Sequence, residues 1–371
     1  MKIGLLCDVL NEHSGARAAI MLGKAMGNLE SCEVVFFGSD ALVDELTVGE
    51  LKKKFRVHVF KKPKVFSFEL VRLLREEKLD IISAHCSLRI LICAYFSGIK
   101  IVRTDYGTQF PSLNGDFGSW RISFFDKALH FFADVFVYFR DFIKFFFCHK
   151  TVGISKDNAG KIKGLYKITV PYIYLGCNNF LSNVTSSVNR AVSPLPISIL
   201  SVSRFVPYKG FHILVEIFKS LEEAYPQARL FLVGGQGGGQ YFNFLKSLVE
   251  GDDRISLVFN PSDEVLLRLY SSCQIYASCT RWEGLGLPFL EASSFGLANL
   301  GFSFFGPAKE VILDGKTGFL ADSPSEYRKL LGQLIQEEET RKGFGYAGKE
   351  FSREFSWESC ARAYKNLLGT L

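Results

Sequence analysis

Short apolar runs alternate along the chain with longer stretches whose apolar residues recur at helical spacing. That alternation predicts βαβ units and parallel sheets. In the first half the strands are expected at Lys2–Leu6, Glu33–Phe37, Ile81–Ala84, Ile101–Thr104 and Thr151–Ile154, with helices such as Ala16–Asn28 and Glu69–Glu77 between them. Ser182–Pro196 breaks the pattern: it is rich in Ser, Asn, Val and Pro and has no helical period, so it reads as a linker. A second alternation follows, with strands expected at Ile197–Val202, Arg229–Val233, Ile255–Val258, Gln274–Ala277 and Ala298–Gly301. The pattern thus predicts an α/β protein of two doubly wound domains, residues 1–181 and 197–353, joined by a linker at 182–196.

A length of 371 residues fits two domains, and 48% hydrophobic with 22% charged residues excludes a disordered chain. The charge is uneven. The first 180 residues carry 25 Lys and Arg against 18 Asp and Glu, the remainder 19 against 20, so an anionic surface or acidic partner is expected for the first half. The excess is far below that of a dedicated nucleic-acid binder, and no nucleic-acid partner is expected. Nine scattered cysteines, none in a CxxC pair, predict free thiols in a reducing, cytoplasmic setting without structural zinc. No run of about 18 uncharged apolar residues suggests a membrane span.

The densest chemistry lies in Arg281-Trp282-Glu283-Gly284-Leu285-Gly286-Leu287-Pro288-Phe289-Leu290-Glu291-Ala292. Pro288 suits the first turn of a helix, and the amides of Gly286 and Leu287 would lie at a helix N-terminus, where phosphate is favoured. Glu291, one turn further, can accept hydrogen bonds from a ribose diol. Two acids beside a diphosphate need cations, and Arg204 and Lys209 of Ser203-Arg204-Phe205-Val206-Pro207-Tyr208-Lys209-Gly210 offer them. An Arg, a Lys-Gly, then Glu-Gly-x-Gly-x-Pro-x-x-Glu-Ala resembles the family 4 glycosyltransferases of GT-B fold. The resemblance continues through Leu232-Val233-Gly234, Gly306–Glu310, Asp314–Phe319 and Phe355–Glu358 to Tyr364, over roughly residues 200–368, and it implies that residues 354–371 form a closing helix returning toward the N-terminal domain.

That resemblance implies two Rossmann-like domains facing a cleft, the second binding a nucleotide sugar and the first the acceptor. It implies sugar transfer with retention of configuration and without a metal or other cofactor. Arg204, Lys209 and Glu283 match the catalytic positions, and Gly234, Gly286, Leu287 and Glu291 match donor-binding ones. The expected acceptor is a cell-surface glycan or a lipid-linked one, such as lipopolysaccharide or capsule. A nucleotide-sugar epimerase or hydrolase on the same fold, or an inactive sugar-nucleotide-binding paralogue, stands as the alternative.

The first half resembles the family more weakly. Gly15 stands in the turn opening the first helix, where backbone could approach the donor, although Ser14 replaces the first of the family's two glycines. His85 ends a strand, and Asp105-Tyr106-Gly107 puts Tyr106 where many members have His. Tyrosine titrates near pH 10 and cannot copy an imidazole near neutrality. Finally, Phe125, Leu129, Phe132, Phe136, Phe139, Ile143 and Phe146 recur at spacings of four and three. Two readings stand for this stripe: core helices of the first domain, or a helix laid in a membrane interface. Lys52, Lys53, Lys54, Arg56, Lys61, Lys62 and Lys64, seven basic residues without an intervening acid, favour peripheral docking on an anionic membrane.

Overall fold

A computed structural model describes residues 1–12, 16–41, 43–108, 110, 124–177, 196–235 and 239–371, with the side chains of 124–128 left aside. Gly15 and nearly all of the expected linker therefore lie outside the described residues. The chain forms two compact units: Met1–Thr108, Val135–Gly176 and Ser356–Leu371 make the first, and Gln109–Asp134 with Cys177–Phe355 the second.

The first unit holds a six-stranded parallel sheet in the order β3-β2-β1-β4-β5-β6. Its strands are β1 Lys2–Cys7, β2 Glu33–Ser39, β3 Arg56–Phe60, β4 Ile81–His85, β5 Lys100–Asp105 and β6 Lys150–Gly153. The helices are α1 Arg17–Gly27, α2 Glu45–Lys52, α3 Phe68–Glu76, α4 Leu88–Tyr95, α5 Phe124–Ile143, which straddles both units, and α6 Lys156–Tyr166. β1 from Ile3 on and all of β4 are buried because both faces of the central strands are covered: Leu6, Val35, Phe37, Ile82, Ala84 and Ile101 sit in one core with Leu70, Leu74 and Leu91 from α3 and α4. Asp44, Ser67 and Ser155 cap α2, α3 and α6 by accepting a first-turn N–H, which fixes where each helix starts.

The second unit repeats the plan with strand order β12-β11-β10-β7-β8-β9, all parallel. Its strands are β7 Ser198–Val202, β8 Arg229–Gly234, β9 Ile255–Phe259, β10 Ile275–Ala277, β11 Ala298–Phe302 and β12 Gly318–Ala321. Its helices are α7 Phe211–Lys219, α8 Gln240–Val249, α9 Asp263–Ser272, α10 Leu287–Phe295, α11 Ala308–Val311, α12 Pro324–Gln336 and α13 Glu338–Ser352. The last helix, α14 Trp357–Leu368, packs on α1 in the first unit. In each sheet the strand order reverses once, beside the first strand of the unit. Ligands of doubly wound sheets sit at the carboxyl ends of the strands flanking such a point.

The periodic stripe at 124–146 is helical as expected, but it is not core. Leu129, Phe132, Phe136, Phe139, Ile143 and Phe146 are exposed, whereas Val137 and Asp141 point inward. Phe125 falls among the side chains left aside.

Candidate active site

At the carboxyl end of β7 the chain enters the loop that carries Arg204. Gly234, at the end of neighbouring β8, is required there by backbone packing: a Cβ on it would lie 1.8 Å from the carbonyl oxygen of Ser203. The close approach is held by the Ser203 N–H donating to Val233 O at 3.0 Å. Pro207 then opens a 3₁₀ turn, Pro207–Lys209, that buries Lys209. An unpaired ammonium at such a position costs several kcal/mol, and this one ion-pairs with Glu283 and donates to the Trp282 carbonyl at 3.4 Å. Burial lowers the Lys209 pKa, an effect that the attraction of Glu283 offsets only in part.

Glu283 comes from the loop after β10. Thr280 Oγ1 donates to the Trp282 carbonyl at 3.0 Å, and the Arg281 N–H donates to the Tyr208 carbonyl at 2.9 Å, so this loop is tied to the Lys209 turn. It ends at Gly286, whose φ of +93° is the left-handed conformation that favours glycine. Gly286 caps α10 without a side-chain cap, and Pro288 stands in the first turn. The first-turn amides, Leu287 among them, are thus not closed off by a capping side chain, and they carry the positive end of the helix dipole. Glu291, one turn along, is partly exposed, and its Oε2 accepts from the Tyr270 hydroxyl at 2.9 Å. Arg204 is exposed and donates to the Tyr208 hydroxyl. The second unit therefore gathers Arg204, Lys209, Glu283, Gly286, Leu287 and Glu291 around the ends of β7 and β10, which flank its reversal point. Two cations and a helix N-terminus suit a diphosphate; two carboxylates suit sugar hydroxyls.

Sequence reasoning missed Tyr208 and Tyr270. Tyr208 lies four residues after Arg204 and was visible as a neighbour, whereas Tyr270 meets Glu291 across 21 residues and leaves no local signal.

In the first unit His85 and Tyr106 meet. The ring Nδ1 of His85 lies 2.7 Å from the Tyr106 hydroxyl, and Nε2 lies 2.9 Å from Ser83 Oγ. Burial depresses the His85 pKa to about 3 and raises that of Tyr106 well above its usual value, so near neutrality both are uncharged. Asp105 is buried and structural in its contacts: it pairs with Arg103 at 3.1 Å and accepts from Asn158 Nδ2 at 3.2 Å and the Gly107 N–H at 2.9 Å. Among the described residues no group of three or more His, Cys, Asp or Glu could hold a metal, and all nine cysteines are free.

Residues 189–351 match the model of the family described as glycosyl transferases group 1. The chain is related to that family and has the GT-B fold. An uncharacterized glycosyltransferase of Methanocaldococcus jannaschii is 27% identical over 172 residues, 45% of this chain and 46% of the relative. The chain spans about half the length of the curated relatives it matches. A glycosyltransferase from Rickettsia africae superposes with a TM-score of 0.73 at 17% identity, covering 99% of this chain and 97% of that one. Anabaena HepE in complex with UDP-glucose superposes at 0.69 with 18% identity, each chain fully covered. The group 1 match coincides with the unit that holds Arg204, Lys209, Glu283 and Glu291.

Proposed function

We propose that the chain transfers a sugar, with retention and without a metal, from a nucleotide-sugar donor held by the second unit to a cell-surface glycan or glycolipid acceptor held by the first. One observation carries this reading: Lys209 ion-pairs with Glu283 in the loop that leads into the uncapped N-terminus of α10, with Arg204 bonded to the adjacent Tyr208 and Glu291 one turn along the helix. In the step itself the bond from sugar C1 to the diphosphate oxygen breaks and a bond from C1 to the acceptor oxygen forms. The acceptor's proton is released to the diphosphate or to solvent. Negative charge builds on the departing diphosphate, and Arg204, Lys209 and the first-turn amides of α10 stand ready to receive it. Glu283 orients the sugar and Glu291 the ribose. UDP-glucose in HepE supports a nucleotide-sugar donor. Gly15 belongs to this reading as a backbone contact to the donor, and His85, Asp105 and Tyr106 as the framework of the acceptor site, with the His85–Tyr106 pair presenting a neutral hydroxyl.

The test is incubation with a panel of nucleotide sugars and measurement of nucleoside diphosphate release with and without candidate acceptors. Acceptor-dependent release supports transfer. Release to water alone would favour the hydrolase reading, conversion of one donor into another the epimerase, and binding without turnover the inactive paralogue.

A second reading concerns place. We propose that the first unit docks on an anionic membrane from the cytoplasmic side. Aromatic rings touch in sequence across its surface: Phe68 to Phe66 at 4.9 Å between centroids, Phe66 to Phe96 at 5.5 Å, and Tyr95 to Phe147 at 5.5 Å. Phe68 is 83% exposed, and Phe136, Phe139 and Phe146 also face outward. Lys61, Lys62 and Lys64 are exposed beside this belt, and each would add on the order of 1 kcal/mol near an anionic leaflet. Among the described residues no helix is long and apolar enough to cross a membrane. Sedimentation with vesicles should show binding to anionic lipid, little to neutral lipid, and weaker binding after Lys61, Lys62 and Lys64 are changed to Glu. Protein left in the supernatant with anionic vesicles at low salt would end this reading.

A further inference from the structure

An exposed arginine has about 2 kcal/mol of rotamer entropy to lose before its planar fork faces a ligand. Arg204 is exposed, yet its guanidinium has a set direction because Nη2 donates to the Tyr208 hydroxyl. Tyr208 is itself immobilised. It is 1% exposed, it sits within the Pro207–Lys209 turn, and its carbonyl accepts the Arg281 N–H. Its ring meets Trp282 edge-on at 6.1 Å between centroids. The Lys209 ammonium lies 5.0 Å from the centre of the same ring, within reach of a cation–π attraction. One buried side chain thus touches both cations of the site and the neighbour of Glu283.

We infer that Tyr208 is the positioning residue of the diphosphate-binding cations, its hydroxyl aiming Arg204 and its ring bracing Lys209; the inference rests on the donor site proposed above. Tyr208 makes no contact with substrate in this scheme. It keeps the guanidinium from dispersing over its rotamers, so that the fork already points where charge will develop when the diphosphate leaves. The contribution of the hydroxyl is therefore expressed only through Arg204.

The test is a double-mutant cycle on nucleoside diphosphate release, with Tyr208→Phe in the wild-type and Arg204→Ala backgrounds. Tyr208→Phe keeps the ring, its packing and the contact with Lys209. It should lower kcat about 3- to 10-fold with the melting temperature within about 2 °C, and cost nothing further once Arg204 is alanine. An equal loss in both backgrounds, or none in the first, would overturn the inference. Arg204→Lys leaves Tyr208 untouched and replaces the fork by a point charge; it should lose most of what arginine gives, and full activity would also count against the inference. If no nucleotide sugar is turned over, the donor reading itself fails. Arginine side-chain NMR then still decides the role of Tyr208: restricted Arg204 guanidinium rotation, freed by Tyr208→Phe, is the expected result, and rotation unaffected by the substitution the contrary one.

Discussion

Replacing Lys209 by Met separates what the buried ion pair does for folding from what it does for chemistry. Lys209 is 5% exposed and its partner Glu283 has 18% of its side chain accessible. Removing one member of a fully buried pair costs about 3–5 kcal/mol, chiefly because the other charge is left uncompensated. Water can still reach Glu283, so the cost falls to the bottom of that scale or just below it, about 2–3 kcal/mol, while the Met side chain keeps the apolar contact of the lysine stem. For a unit of this size about 2–4 °C is lost per kcal/mol, which puts the second unit's melting temperature down by about 5–10 °C. Neutralising the orphan, as in Lys209→Met with Glu283→Gln, should recover most of that stability and none of the activity. The assay is calorimetry without nucleotide, paired with nucleoside diphosphate release. A Lys209→Met protein that melts unchanged, or a double variant no more stable than the single, would refute the reasoning.

Arg204→Ala should slow turnover about 30- to 1000-fold, the roughly 2–4 kcal/mol of a contact that strengthens as the diphosphate departs. Glu291→Ala should instead raise the Kd for nucleotide with a smaller change in kcat, as steady-state kinetics beside calorimetric titration would show. Full activity is expected in excess chelator, since Arg204 and Lys209 supply the positive charge; inactivation reversed by added magnesium or manganese would contradict this. The first unit should lose stability in acid. His85, held near a pKa of about 3 by burial, stays neutral while the unfolded chain takes up a proton below about pH 6.5. The stability it contributes is therefore full above that pH and drains away as pH falls toward 3, at up to about 2 kcal/mol between pH 6.5 and 5. Burial pulls Glu77 up, but hydrogen bonds from Lys2, Arg56 and His58 outweigh it and hold the carboxyl at about 2, so its contribution is full above pH 4.5 and drains away as pH falls from there through about 2. Urea melts at pH 7 and 5 should show the difference for wild type and a smaller one for His85→Asn.

The donor side was legible because its signals are local. A glycine forced to positive φ, a proline in a first turn and a glutamate one turn on are all written within a dozen residues, and the inner strands of both sheets carry short, mainly apolar buried runs. β3 was not read, because an edge strand wets one side and Arg56-Val57-His58-Val59-Phe60 reads as part of a basic run. Nor was β12, four residues at the other sheet's edge. The 3.6-residue period of the stripe at 124–146 identified a helix but not which face is buried, since the inward Val137 and the outward Phe136 and Phe139 are all apolar. Contacts between distant side chains, such as His85 with Tyr106 or Tyr270 with Glu291, depend on tertiary placement and carry no sequence pattern.

The helix α14 bears on how the protein is made. It completes the first unit from the far end of the chain: the Tyr364 hydroxyl bonds Thr104 Oγ1 at 3.0 Å across 260 residues, and Lys365 reaches the Glu30 carbonyl at 2.8 Å. Synthesis at about 5–20 residues per second places Tyr364 roughly 13–50 s after Thr104. Once β6 is made, the ribosome has delivered the first sheet and α1 but not the helix that covers α1. The second unit, encoded in between, can close on itself while the first waits. The nascent first unit thus passes its early life with the face of α1 that α14 later covers still bare.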